Sequence, residues 1–243
     1  MCAAFVENVD KRVWQAYPET GGFDLVMVHR KSGIQVGIEA KQTLNADVAK
    51  QAINHMRCGP QLGPDFHAIL VPLGGNAALE EVLDLVGITT IRMRSGKHFM
   101  PQLPHDWDIS SNSEFFWESR TWHQLCPEKR IVLPDYIPDS TAGSPSPVTL
   151  TDWKVRAIKI AILLERRGLV TTGDFDTLKI SRSRWVQNGW ISPIRRGVYK
   201  AGRLPNFRAQ HPVNFDQIAA DFEKWAAPLP TPPAELVEAT HGG

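Results

Sequence analysis

The chain has 243 residues, of which 42% are hydrophobic, and its formal net charge is +1. This composition supports ordinary globular cores and excludes a wholly disordered chain, and no run of about 18 apolar residues predicts a membrane span. Three widely spaced cysteines predict neither a disulfide framework nor paired zinc ligands, and no signal peptide is evident, so we expect a cytoplasmic location.

The charge is distributed unevenly along the chain. The segment 151–208 contains 13 basic and 4 acidic residues, a balance of +9, whereas the rest of the chain contains 14 basic and 22 acidic residues, a balance of −8. A basic module joined to an acidic one indicates a part that binds a polyanion and a part with another task.

The first elements in chain order are a helix and a hairpin. Apolar residues spaced along one helical arc predict an amphipathic helix from Ala3 to Tyr17, ended by Pro18. The apolar run FDLVMVH predicts a strand over 23–29, and QVGIEAK predicts the returning strand over 35–41.

Four further elements alternate between helix and strand. They are a helix over 45–56 capped by Asn45, a strand over 66–73, a helix over 79–86 and a strand over 89–94. This alternation predicts an α/β fold, a mixed sheet flanked by helices, within residues 1–100.

The region 101–149 is rich in Trp and Pro and connects the two halves of the chain. Its tryptophans Trp107, Trp117 and Trp122 predict packing against a domain. The stretch 134–147 contains four prolines with Ser and Gly, which oppose regular structure, and it is the best candidate for a domain boundary. The chain is expected to end in a helix and a disordered tail within 209–243, with disorder following Trp225.

Two carboxylates and a lysine form the most informative motif. Side chains alternate along a strand, so Glu39 and Lys41 project to the same side, and Asp24 opens the neighbouring strand of the hairpin. Carboxylate oxygens and a backbone carbonyl, here that of Ala40, are ligands that Mg²⁺ accepts. A bound metal ion would activate water, and Lys41 would orient that water or stabilise the pentavalent phosphate.

The run GGFDLVMVHRKSGIQVGIEAKQ resembles the core of the PD-(D/E)XK, or restriction-endonuclease-like, superfamily. The resemblance maps the first acid of the motif to Asp24, and the E-x-K element to Glu39, Ala40 and Lys41. It implies a Mg²⁺-dependent nuclease, with Mn²⁺ as a substitute ion. An early strand of this fold would have to lie near 14–20 or be absent, and Asp24 follows Phe23 where the motif often has Pro.

The resemblance also implies an acid on the first helix and a Gln on the helix after the E-x-K element. Glu7 is the natural match for the acid and Asp10 is its rival, because Asp10 lies within the apolar arc. Gln51 matches the Gln, but His55 stands where many recombination-type exonucleases have Tyr.

The C-terminal module is predicted to contain three helices followed by a hairpin. The helices cover 151–167, 172–178 and 181–188, and the strands 190–194 and 198–201 flank a basic tip. This order, within 150–208, resembles the winged helix-turn-helix family. The resemblance places Arg182 and Arg184 on the recognition helix, with phosphate contacts from the wing by Arg195, Arg196, Lys200 and Arg203.

Two functions from different classes follow. The first is a metal-dependent DNA endonuclease, from a phage or mobile element, whose winged helix binds duplex DNA or docks a partner, with a homodimer as one arrangement. The alternative is a DNA-binding regulator or architectural protein with a degenerate nuclease core. An RNA-processing nuclease is a third hypothesis.

Overall fold

The structure is a computed structural model that describes residues 1–57, 62–94, 98–103, 122–125, 127–139 and 150–230. The chain forms two compact units, Met1–Ser146 and Pro147–Gly243. The division falls at the end of the Pro-rich stretch 134–147. Trp107, Trp117 and the predicted tail beyond residue 230 lie outside the described residues. The disorder predicted directly after Trp225 is wrong for 226–230, where Ala226 and Leu229 are buried. No helix in the described ranges is both long enough and apolar enough to cross a bilayer.

The first unit is built on one six-stranded mixed sheet. Its elements are α1 (Cys2–Asn8), β1 (Trp14–Thr20), β2 (Phe23–His29), β3 (Gln35–Ala40), α2 (Ala46–Arg57), β4 (Leu62–Gly63), β5 (Phe66–Pro72), α3 (Ala77–Leu85), β6 (Ile88–Arg94), β7 (His98–Met100) and β8 (Lys129–Arg130). The strand order is β1-β2-β3-β5-β6-β7, antiparallel from β1 to β3 and at β7 and parallel between β3, β5 and β6. Helices flank this sheet, which confirms the predicted α/β fold class.

The two faces of the sheet bury different apolar clusters. On one face, Phe5 of α1 and Val9, which directly follows this helix, pack against a cluster that includes Leu25 and Ile38. On the other face, α2 and α3 cover a cluster that includes Ile69 and Val71. Because neighbouring residues of a strand point to opposite faces, Glu39 lies on the face opposite to Ile38 and therefore opposite to α1.

The predicted helix over 3–17 is wrong beyond Asn8. The carbonyl of Asp10 accepts the Val13 and Trp14 N–H groups in a turn, and the Asp10 carboxylate accepts the backbone N–H of Arg12 at 2.9 Å. The chain then enters β1, where Trp14 is buried and pairs with His29 of β2. The early strand that the nuclease resemblance required at 14–20 is therefore present, because edge pairing with β2 outweighs a helical apolar spacing.

The other predicted elements of the first unit are confirmed within one or two residues. Asn45 caps α2 by accepting the Val48 N–H at 3.0 Å, as expected. The short strands β4, β7 and β8 were not predicted, because two- and three-residue strands carry no periodic signal.

A segment far along the chain fastens the first unit. The side-chain amide of Gln35 donates to the Ile131 carbonyl and accepts the Ile131 N–H, both at 2.9 Å. Arg130 pairs with the buried carboxylate of Asp65 at 2.7 Å, and the same carboxylate accepts the Gln35 N–H at 2.8 Å. We call residues 127–133 the strap. Its residues Ile131 and Leu133 pack against an apolar cluster of Phe23, Val26 and Val28.

The second unit contains the predicted three helices and hairpin, followed by more helix. Its elements are α4 (Asp152–Arg167), β9 (Leu169–Thr171), α5 (Thr172–Thr177), α6 (Arg182–Gln187), β10 (Ile191–Arg195), β11 (Val198–Ala201), α7 (Phe207–Gln210), α8 (Pro212–Ala220) and α9 (Phe222–Ala226). The strands form a small sheet in the order β10-β11-β9. This order of elements is that of the predicted winged helix-turn-helix.

Local signals define the helix ends in this unit. Thr151 caps α4 by accepting the Lys154 N–H, and Gly168 ends the helix in the left-handed conformation at φ 70°. Thr171 and Asp174 form a capping box that begins α5 at Thr172, the predicted first residue of this helix. The strand β9 was not predicted, because its three residues join the sheet only through β11.

Candidate functional site

The acid-lysine motif lies where β2 and β3 run side by side. Leu25 pairs with Ile38, so the same antiparallel register sets Asp24 opposite Glu39, with both side chains on one face of the sheet. The Asp24 carboxylate accepts the Ala40 N–H at 2.7 Å. This bond holds Asp24 against the end of β3, beside the E-x-K element, as the hairpin prediction required.

Glu39 is deeply buried beside two basic side chains. Its side chain is 3% exposed; Lys41 Nζ lies 3.6 Å from Oε2, and His67 Nε2 lies 3.9 Å from Oε1. A neighbouring positive charge offsets part of the cost of burying a carboxylate, and Lys41 supplies that charge from a position that is still 27% exposed. Lys41 therefore links the buried Glu39 to the solvent edge of the sheet.

His67 belongs to this cluster, and sequence reasoning missed it. It lies on β5 opposite Gly37 in the parallel pairing of β3 and β5. Its ring meets Phe23 edge to face at a centroid distance of 5.1 Å. The position of a parallel partner strand is a tertiary property, so the apolar run FHAILV gave no signal that its histidine would approach Glu39.

Gly37 is needed because the space above it is filled. A Cβ atom at this position would lie 2.7 Å from the Phe23 ring and 2.8 Å from Pro64. Since ordinary carbon contacts begin near 3.4 Å, only glycine lets these two side chains cover β3 at this point. Phe23 and Pro64 therefore cover the side of the Glu39 cluster that lies next to His67.

The remaining predicted residues of this motif are not brought together with it. Glu7 is exposed on α1, on the face opposite to Glu39, and its rival Asp10 instead pairs with Arg12. Gln51 is exposed on α2, whose Ala49 and Ala52 face the sheet. The structure thus assembles Asp24, Glu39, Ala40 and Lys41 and leaves Glu7 and Gln51 at the surface.

The candidate metal ligands beside β3 are all oxygen atoms, which are the ligands that hard cations prefer. Within the described residues, no three His, Cys, Asp or Glu side chains are arranged to hold a metal ion. An ion at this point would depend on two carboxylates, from Asp24 and Glu39, and on the Ala40 carbonyl. Mg²⁺ is commonly held by one or two carboxylates and completes its octahedron with water and substrate phosphate, so the residues present fit that ion.

The negative charge of Asp24 also reaches the start of α1. Burial raises the pKa of the Cys2 thiol above its usual value, and the charge of Asp24 raises it further. A thiol in this setting stays protonated at neutral pH and is a poor nucleophile. Cys2 therefore acts as a packing residue of the apolar cluster that contains Phe5.

In the second unit, α6 presents an exposed face next to a buried anchor. Trp185 is fully buried and meets Phe175 and Trp190 edge to face. Arg184 and Gln187, three residues apart on one side of the helix, are exposed. Trp185 therefore fixes the helix to the core while its other side faces outward.

The basic residues of this unit fall into two groups. Eight are engaged within the unit by hydrogen bonds, ion pairs or aromatic faces: Lys154, Arg156, Lys159, Arg166, Arg167, Arg182, Arg208 and Lys224. Six are exposed and make no side-chain ion pair or hydrogen bond within the described residues: Lys179, Arg184, Arg195, Arg196, Lys200 and Arg203. The second group lies between the α5–α6 turn and the residues that follow β11.

The hairpin of β10 and β11, which we call the wing, is hydrogen-bonded at its base to the end of α6. The Gly202 N–H donates to the Trp190 carbonyl and the Arg203 N–H donates to the Gly189 carbonyl, each at 2.8 Å. Trp190 in turn donates its backbone N–H to the Trp185 carbonyl at 2.9 Å. Helix α6 and the hairpin are thus joined through continuous backbone contacts.

Comparison with known proteins bears on the second unit. Residues 159–200 match a family model described as a transcriptional regulator, AbiEi antitoxin. No curated protein and no solved structure matched the chain. The matched segment runs from within α4 to β11 and covers less than a fifth of the 243 residues, so the similarity concerns the helix-turn-helix and the hairpin, and no comparison supports a nuclease relationship for the first unit.

Proposed function

We propose that the protein is a DNA-binding regulator whose second unit binds duplex DNA through α6 and the wing. The observation that carries this proposal is the group of exposed cations between residues 179 and 203, which have no anionic partner within the described part of the unit. Uncompensated cations on a helix and hairpin are the electrostatic footprint of phosphate binding. The similarity of residues 159–200 to a transcriptional regulator family supports the same function.

The exposed residues of the hairpin tip and those of α6 are expected to make different contacts with DNA. Arg195 and Arg196 at the wing tip would neutralise phosphates, which position the protein without selecting sequence. Arg184 and Gln187 on α6 would meet base edges in the major groove, where Arg and Gln have matched donor patterns on guanine and adenine. The engaged cations of α4 hold the unit together and are not expected to contact DNA.

The test is the salt dependence of binding to a labelled duplex of mixed sequence, measured by fluorescence anisotropy. Each phosphate contact contributes about 0.9 to the slope of log K against log salt concentration. Removal of two contacts in Arg195→Ala with Arg196→Ala should therefore lower the slope by about 2 and weaken binding to all sequences alike.

A matched control removes the same charge from the first unit. Lys11 and Lys31 are exposed, so Lys11→Ala with Lys31→Ala should leave the slope within error of the wild type. An unchanged slope in the wing variant would overturn DNA binding through the wing and would favour a winged helix that docks a protein.

A second function is proposed for the first unit, namely hydrolysis of phosphodiester bonds. The observation that favours it is the placement of Asp24 and Glu39 at opposed positions of β2 and β3, with Lys41 Nζ 3.6 Å from Glu39. Asp24, Glu39 and the Ala40 carbonyl would hold Mg²⁺, which when bound lowers the pKa of its water and offsets negative charge on the phosphate. Lys41 would hold the attacking water or the phosphate oxygen with its ammonium group.

Cleavage of supercoiled plasmid in Mg²⁺ or Mn²⁺ tests this second function. Glu39→Gln and Lys41→Ala should each abolish cleavage, while Glu81→Gln, which neutralises an exposed carboxylate on α3, should retain it. Cleavage that survives both site variants would remove the proposed site. DNA binding without cleavage in either metal ion would overturn the hydrolytic function and leave DNA-binding regulation as the function of the protein. Parallel assays on single strands and RNA would identify the preferred substrate of any cleavage.

A further inference from the structure

Arg182 differs from the other arginines of the recognition helix region in being engaged inside the unit. Its Nη1 donates to the Thr172 hydroxyl at 2.8 Å, and its guanidinium carbon lies 5.8 Å from the centre of the Tyr199 ring. It is half-buried, whereas Arg184 is exposed. Two residues along a helix span a rotation of about 200°, so Arg182 and Arg184 lie on nearly opposite sides of α6.

Thr172 connects Arg182 to the tip of the wing. The Thr172 N–H donates to the Gly197 carbonyl at 2.9 Å, and the Thr172 hydroxyl lies 3.5 Å from the same carbonyl oxygen. Gly197 has a φ of 78° and forms the turn that directly follows Arg195 and Arg196. A chain of hydrogen bonds therefore runs from α6 through the first residue of α5 to the hairpin turn.

We propose that Arg182 is a positioning residue, which fixes the wing tip relative to the recognition helix and does not itself contact DNA. The proposal rests on the proposed DNA-binding function. The Thr172 hydroxyl accepts from Arg182 and has its own proton to direct at the Gly197 carbonyl 3.5 Å away, so loss of either side chain removes this second contact and leaves the turn held to α5 by the Thr172 N–H alone. The wing tip would then hold its two arginines less rigidly, and their phosphate contacts would weaken.

This role makes a distinctive prediction about combined variants. A residue that acts only through the wing tip has nothing left to act on when the tip arginines are gone. Arg182→Ala should weaken DNA binding by no more than the Arg195→Ala, Arg196→Ala pair does. Added to that pair, it should change affinity by less than about twofold, the usual error of additivity. A direct DNA contact would instead cost the same factor in both backgrounds.

The hydroxyl of Thr172 supplies a second and independent test. Thr172→Val removes the hydroxyl and keeps the shape, whereas Thr172→Ser keeps the hydroxyl and removes a methyl group. Hydrogen exchange of the backbone amides at 195–198, measured without DNA, should accelerate in Thr172→Val and Arg182→Ala and stay near the wild-type rate in Thr172→Ser. Melting temperatures measured alongside separate release of the tip from unfolding of the unit.

The outcomes distinguish the two proposals. Unchanged exchange at 195–198 in both Arg182→Ala and Thr172→Val would overturn the positioning role, whatever the protein binds. An equal loss of affinity from Arg182→Ala with and without the tip arginines would overturn it as well. Absence of DNA binding by the wild-type protein, with exchange accelerated as expected, would overturn the DNA-binding function while leaving the hydrogen-bond chain intact.

Discussion

Replacement of Gly202 by alanine should damage the junction between the recognition helix and the wing. A Cβ atom at this position would fall inside van der Waals contact of the Gly189 carbonyl oxygen and 3.1 Å from the Trp190 carbonyl carbon. Both neighbours are backbone atoms, so no side chain can rotate away to make room. The segment that follows β11 must instead move off the end of α6.

The cost can be worked from these contacts. Overpacking of a filled site costs about 1–3 kcal/mol. The two 2.8 Å hydrogen bonds of the junction, donated by Gly202 and Arg203, would weaken at about 0.5–1.5 kcal/mol each. Alanine also lowers the conformational entropy of the unfolded chain, which stabilises the folded unit by about 0.4–1 kcal/mol. The net loss is about 1–6 kcal/mol, with a midpoint near 3 kcal/mol, and for a unit of this size that midpoint lowers the melting temperature by roughly 12–24 °C.

Thermal unfolding followed by tryptophan fluorescence measures this loss, because Trp185 and Trp190 report on the second unit. Gly189→Ala is the matched control: Gly189 has a φ of 67° and no atom within 4 Å of an added Cβ, so its cost is backbone strain of about 1–2 kcal/mol alone. If Gly202→Ala melts within about 2 °C of the wild type, or above Gly189→Ala, the steric argument for this junction is refuted.

Three further predictions concern the first unit. Asp65→Ala leaves the buried N–H of Gln35 without its acceptor and should lower the free energy of unfolding in urea by about 1–3 kcal/mol; no change would mean that water replaces the carboxylate. Gly37→Ala places a Cβ 2.7 Å from an aromatic ring and should cost about 1–3 kcal/mol in the same assay, and a neutral result would show that the ring moves freely. Cys2 should react slowly with iodoacetamide at pH 8, as judged by peptide mass spectrometry, because burial and the charge of Asp24 raise the pKa of its thiol. Asp24→Asn removes that charge and should speed the reaction. An equal rate in both proteins would contradict the proximity of Asp24.

The parts of the fold that depend on neighbouring residues could be predicted from the sequence. Alternation along the strand predicted over 35–41 placed Glu39 and Lys41 on one side, and the short connection between β2 and β3 set Asp24 opposite Glu39. The helix over 3–17 failed because its apolar spacing also fits a turn followed by a strand. Only the pairing of β1 with β2 decides between these two structures.

Contacts between distant segments could not be predicted in this way. His67 reaches Glu39 through the parallel pairing of β3 with β5, and no local pattern encodes which strands become neighbours. Arg182 resembled a DNA contact in the sequence because it lies at the start of the recognition helix. Its engagement with Thr172 depends on how α5 and α6 pack, which the sequence pattern leaves open.

The strap sets the smallest piece of the first unit that can be studied alone. Gln35 and Asp65 hold a segment that follows them by more than sixty residues, and its apolar side chains cover Phe23 and Val26. A protein truncated after β6 would retain the acid-lysine motif but would expose this apolar surface. The buried side chains of Gln35 and Asp65 would also lose their hydrogen-bond partners in the strap. Such a fragment should self-associate in solution. A fragment that extends through residue 139 includes the strap, which keeps the apolar surface covered.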